Sequence, residues 1–118
     1  MRTEELYLRD IVEAADAIQQ FVTGVKREAF LGNEVLRSAM LHKLTIIGEA
    51  AACLSKDFRA QHPEVEWQDI VAFRNIAVHA YFRVDWSIVW TTATQDARDL
   101  RRKVAEILAK EYPHAQGK

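Results

Sequence analysis

The stretch LYLRDIVEAADAIQQFV, residues 6–22, decides the fold. Leu8, Ile11, Ala15, Ile18 and Val22 recur at alternating steps of three and four residues, and Val25 continues the series. That spacing draws one apolar stripe along a helix, predicted here from about Glu4 to Phe30. Leu31 to Asn33 forms a turn, with Asn33 placed to cap a second helix that runs to about Phe58. Leu36, Met40, Leu44, Ile47, Ala51, Leu54 and Phe58 form its stripe. RAQHPEVE, residues 59–66, interrupts the pattern. A shorter third helix is predicted from Trp67 to about Val78. Asp85 can cap a fourth that reaches about Glu111, with Val89, Ala93, Ala97, Leu100, Val104 and Leu108 on one side. No stretch keeps the two-residue alternation of a half-buried strand. The expectation is an all-α antiparallel helical bundle of four to five helices, one domain over residues 1–113, with 114–118 a frayed tail.

The 118 residues are 49% apolar, enough for a real core, and the formal net charge is −1. A protein coated in basic residues for nucleic acid is excluded, so a polyanion would have to meet a local patch. The single cysteine, Cys53, rules out an internal disulfide and reads as a small buried hydrophobe within EAAACL. No N-terminal run resembles a signal peptide and no window approaches a membrane span, so a cytoplasmic protein without membrane contact is expected. The histidines at 42, 62, 79 and 114 lack the companions and spacing of a zinc site. No glycine loop cradles phosphate, and no serine sits in a nucleophile elbow. Neither a metal nor another cofactor is expected.

Polar residues that break the apolar pattern gather in AFRNIAVHAYF, residues 72–82. At about 100° per residue, Ile70, Val71, Arg74, Ala77 and Val78 all fall within roughly 80° of Trp67. Arg74 therefore points into an apolar face, where an unpaired charge would cost several kcal/mol. It needs a partner, a cleft or a ligand. Glu49, set in IIGEAAACL, is one available carboxylate. Asn75 and His79, four apart, share a face, so the amide could orient the imidazole. Arg74 and His79 lie about 140° apart round a continuous helix. They can cooperate if the helix ends near His79, or if a second copy brings its own pair across a two-fold axis. Tyr81 falls about 20° from Arg74 if the helix continues, a position for a core tyrosine or for a hydroxyl beside a phosphate.

The second helix carries another stripe, His42, Ile46, Glu49 and Cys53, away from its main one. Such a helix is central in its own domain or shared with a partner. Phe82, Trp86 and Trp90 add bulk beside the motif, for core packing or for stacking on a base.

RNIAVHAYF, with Arg74, His79 and Tyr81 as Arg-x-x-x-x-His-x-Tyr, resembles the motif of the HEPN superfamily, in its HepT branch. The likeness covers most of the chain: IIGEAA in the second helix, HPEVEW before the third, FRN at its middle and YFRVDWSIVW after it. Ala72–Phe73 stands where many relatives have glycine and methionine, and Glu66 where proline is frequent.

The resemblance implies a homodimeric helical ribonuclease, the toxin of a toxin–antitoxin pair. In that family the motifs of two copies meet in a cleft and cleave RNA, such as tRNA or mRNA, without a metal. The partner is a minimal nucleotidyltransferase antitoxin (MntA-like) that transfers AMP onto the motif tyrosine, here Tyr81. On this reading Arg74 holds the scissile phosphate and His79 moves protons, an imidazole being suited to that near neutral pH. Asn75 supports either, and Glu49 and His42 stand behind them or at the interface. The expected products are a 2′,3′-cyclic phosphate and a 5′-hydroxyl. Two other readings stand beside it. One is a non-catalytic module of the same fold that grips RNA, a nucleotide or a nucleotidyltransferase through Arg74 and Tyr81. The other is a plain dimerisation domain in which Arg74 is paired internally.

Overall fold

The computed structural model describes residues 3–113, the side chain of Tyr81 excepted. Among the described residues all regular structure is helical. Helix α1 spans Glu4–Val22, α2 Arg27–Leu31, α3 Glu34–Cys53, α4 Lys56–Gln61, α5 Trp67–His79, α6 Trp86–Thr91 and α7 Ala97–Glu111. A 3-10 turn, Tyr81–Arg83, follows α5, and a π-helical turn, Thr92–Asp96, joins α6 to α7 without breaking the rod. None of these helices is long and apolar enough to cross a membrane.

The four long rods match the periodicity, but two predicted boundaries move inward. The first helix stops at Val22 instead of Phe30. Thr23 is extended, its hydroxyl donates 2.7 Å to the Gln19 carbonyl, and Gly24 adopts a φ of +75°. A β-branched residue followed by a left-handed glycine ends a helix whatever the stripe beyond it does. The second helix stops at Cys53 instead of Phe58. Ser55 restarts the chain as α4, its hydroxyl accepting from the Phe58 N–H at 3.0 Å. The two caps foreseen at Asn33 and Asp85 are formed. Asn33 Oδ1 accepts from Leu36 N–H at 2.9 Å, and Asp85 Oδ1 from Ser87 N–H at 2.9 Å.

α3 is the central rod, in contact with α1, α2, α5 and α6, while α7 packs on α1. The core runs between them through Leu8, Ile11, Ile18, Phe30, Met40, Leu54, Val89 and Val104. Trp90 stacks on Phe30 at 5.1 Å between ring centroids and Trp86 meets it at 6.5 Å, so both indoles pack against the core. The central position explains why α3 has two apolar-leaning faces. It does not bury all of the second stripe: Ile46 is half-buried, but His42, Glu49 and Cys53 are exposed. Cys53 is thus not the buried hydrophobe expected from its alanine-rich setting. It lies on the outer face of α3, eleven residues and about three turns from His42.

Candidate active site

α5 is anchored at its start and open at its end. Trp67 is buried, and its Nε1–H donates 3.0 Å to the His62 carbonyl. His62 is itself buried against Phe58, ring centroids 4.5 Å apart. Its Nδ1 lies 3.5 Å from Glu64 and its Nε2 2.9 Å from Glu111. The Glu111 approach falls outside hydrogen-bond geometry, leaving Nε2 without a hydrogen-bond partner, so it is a charge contact that attracts only a protonated ring. Towards its C-terminus α5 projects beyond its packing partners. Ala77 is buried, but Asn75, Ile76, Val78 and His79 are all exposed. Val78 was expected on the apolar face; it is 47% exposed because this last turn extends past the core.

Arg74 sits where the rod crosses α3, and the crossing is close because residue 48 is glycine. A Cβ built at Gly48 would overlap the Cβ of Arg74, lie 2.8 Å from its Cγ and 3.3 Å from the Ile70 carbonyl. The arginine stem fills the space that a side chain at 48 would need. From there its Nη1 reaches Glu49 Oε2 at 3.0 Å, so the carboxylate next to the glycine fixes the guanidinium. Arg74 Nε is buried without a hydrogen-bond partner. The side chains of Arg74 and Glu49 are 20% and 55% exposed, which makes this a pair at the surface and not a sealed one.

The helix ends at His79, and both Arg74 and His79 lie within it, about 140° apart round its axis. Ala80 leaves helical geometry (φ −136°, ψ 45°) while its N–H still donates to Ile76 at 2.9 Å. The 3-10 turn then folds the chain back, Arg83 N–H donating to the Ala80 carbonyl at 2.8 Å. The side chain of Tyr81 lies outside the described residues. Among the described residues, the side chains of His42, Asn75 and His79 make no hydrogen bond or ion pair, so Asn75 does not hold the imidazole here. His42 shares the outer face of α3 with Glu49, two turns away.

Gly48 is the participant that residue-by-residue reading passed over. Its signal was available: a glycine inside an otherwise strong helix, where it costs about 1 kcal/mol relative to alanine, implies close approach by a neighbour. A separate cavity of about 270 Å³ lies between α3, α5, the π turn and α7, lined among others by Leu44, Asp69, Ile70, Phe73, Asp96 and Leu100. It borders neither Arg74 nor His79. No group of three His, Cys, Asp or Glu side chains suited to a metal exists among the described residues.

A model of the family "Ribonuclease HepT-like" matches residues 11–107. A candidate RNase of Caldanaerobacter subterraneus subsp. tengcongensis is 37% identical over 111 residues, covering 94% of this chain and 99% of the relative. The probable ribonuclease HepT of Thermococcus cleftensis is 35% identical over 106 residues, covering 90% and 96%. A candidate RNase of Methanocaldococcus jannaschii is 33% identical over 103 residues, covering 87% and 94%. No solved structure matches the chain. With the family model spanning most of its length and relatives of this likeness aligned end to end, the chain belongs to the HepT-like ribonuclease family of the HEPN superfamily.

Proposed function

We propose that this chain is a metal-independent endoribonuclease, the toxin of a toxin–antitoxin pair, with Arg74 and His79 as its catalytic residues. The observation that carries the reading is a cation held at the mouth of the α3–α5 crossing, one turn before an exposed imidazole at the end of the same helix. RNA brings its own nucleophile. The 2′-hydroxyl oxygen attacks phosphorus, its proton passes to a base, and the bond from phosphorus to the 5′-oxygen breaks as that oxygen takes a proton. A 2′,3′-cyclic phosphate and a 5′-hydroxyl result. His79 serves as base or acid, and Arg74 binds the phosphate and offsets charge that grows in the transition state. Glu49 holds Arg74 in position, and Asn75 is free to meet the phosphate or the imidazole.

The active form is a homodimer in which two such pairs line one groove, with His42 and Glu49 near the contact. An MntA-like nucleotidyltransferase silences it. The Tyr81 oxygen attacks the α-phosphorus of ATP, the phenolic proton is lost and pyrophosphate leaves. The added AMP brings bulk and negative charge that repel RNA. Expression of the wild-type chain is expected to arrest growth, and His79→Ala or Arg74→Ala to relieve the arrest without loss of dimer. Co-expression with the nucleotidyltransferase should add AMP-sized mass steps that peptide mapping places on Tyr81. Toxicity that survives both substitutions would remove these residues from the chemistry.

The Arg74–Glu49 pair also fits the dimerisation-domain reading, in which the arginine is structural. The two separate on one measurement. A structural pair predicts that Arg74→Ala lowers the melting temperature and leaves RNA binding unchanged, and a catalytic one predicts the reverse.

A further inference from the structure

The 3-10 turn after His79 presents the most exposed large apolar side chain of the described residues. Phe82 is 99% exposed, three residues beyond the imidazole. Three Cα–Cα steps limit its distance from His79 to about 11 Å, and the Ala80–Arg83 hydrogen bond shortens it further. Arg83 beside it is exposed, and its side chain makes no hydrogen bond or ion pair among the described residues. The nearby Asp85 makes no ion pair with it among the described residues, and its Oδ1 instead accepts from the N–H groups of Ser87 and Ile88. An exposed ring and an unpaired cation thus stand side by side on a turn that begins two residues past a proton-transfer group.

We propose that Phe82 and Arg83 form a substrate-reading element in which Phe82 stacks on an unpaired base next to the cleaved linkage and Arg83 binds the adjoining phosphate. This rests on the ribonuclease reading and names its substrate class: single-stranded RNA. Every base has a π-face, so one aromatic ring grips a flexible strand without demanding a sequence. In an A-form duplex the bases are stacked on each other and offer the ring nothing, which is why aromatic readers select loops and single strands. A second copy of the chain is the competing occupant of this turn. A two-fold contact centred here would bring the Arg83 guanidinium of each copy towards the other, like charges that an RNA phosphate would instead offset.

The test compares the wild-type chain with Phe82→Ala, Phe82→Trp and Arg83→Gln. The substrates are a labelled single-stranded RNA, the same strand annealed to its complement, and a strand with an abasic nucleotide beside the cut. Binding is measured in parallel on a His79→Ala background. The wild type should bind and cut the single strand preferentially. Phe82→Ala should reduce binding and kcat/KM about 5- to 160-fold, the equivalent of one lost base–aromatic stack, and Phe82→Trp should restore them. The abasic strand should be impaired for the wild type and no further impaired for Phe82→Ala. Arg83→Gln should flatten the salt dependence by about 0.7 in log–log slope, the single-strand value for one phosphate contact. Equal binding and cutting of all strands by Phe82→Ala would overturn the proposal. So would a loss that tracks conversion of dimer to monomer in sedimentation. If no RNA is cut at all yet Phe82→Ala still weakens single-strand binding, the nuclease reading falls and the reading element stands.

Discussion

Gly48 and Arg74 are complementary across the α3–α5 crossing: the missing side chain of one is the space occupied by the stem of the other. The substitution Gly48→Ala therefore sets two effects against each other. Alanine improves helix propensity by about 1 kcal/mol. The new Cβ, however, overlaps an atom next to the backbone of α5 and also presses on the Ile70 carbonyl, so relief requires moving a helix. Overpacking of that kind costs about 1–3 kcal/mol and wins. Urea denaturation of Gly48→Ala should show a net loss, with RNA cleavage falling further than stability because Arg74 is displaced.

Glu49 separates a positioning role from a structural one. Exposed ion pairs contribute about 0–1 kcal/mol, and more than half of the Glu49 side chain is exposed. Glu49→Ala is expected to change the unfolding free energy by less than about 1 kcal/mol. It should lower kcat/KM for RNA by about tenfold, the equivalent of 1.4 kcal/mol of lost transition-state binding, with Glu49→Asp intermediate. A stability loss above about 2 kcal/mol with unchanged cleavage would instead make the pair a structural clasp.

The Trp67–His62 contact is the anchor that sets where α5 starts. Trp67→Phe keeps the ring and removes the Nε1–H donor, leaving the His62 carbonyl without its partner. About 1–3 kcal/mol of destabilisation is expected, read as a shift of the denaturation midpoint at unchanged m-value.

Acid stability should carry a signature of Asp99. Hydrogen bonds from Arg102 at 2.6 Å and Lys103 at 3.1 Å hold its carboxyl below the usual carboxylate range. A folded-state pKa below the unfolded value stabilises the fold at pH above about 3.9, and the contribution disappears as pH falls through the lower folded value. Asp99→Asn should thus be less stable than wild type at neutral pH and converge with it in strong acid. Melting curves across that range check it; a gap that persists in acid would mean that the loss is not linked to the charge.

The long rods were legible because buried stripes of α1, α3 and α7 obey one period over many turns. Their ends were not, because the ends are set by single residues acting locally. Thr23–Gly24 stops α1 inside a stripe that continues through Val25, and Ser55 divides α3 from α4 although Leu54 and Phe58 keep the apolar series. Within the candidate site, the Arg74–Glu49 pair could be anticipated from one charge on an apolar face and one carboxylate in an apolar run. The depth of Cys53 could not, since local composition does not say which face of a central helix is left uncovered. The same holds for Val78, whose exposure depends on α5 outrunning its neighbours.

The central claim, that Arg74 and His79 cut RNA without a metal, is met most directly by end-group analysis of RNA incubated with the purified chain in excess chelator. Fragments ending in 2′,3′-cyclic phosphate and beginning with 5′-hydroxyl are expected from the wild type and not from His79→Ala. Cleavage by His79→Ala at the wild-type rate, or cleavage that requires added divalent metal and leaves 5′-phosphates, would contradict it.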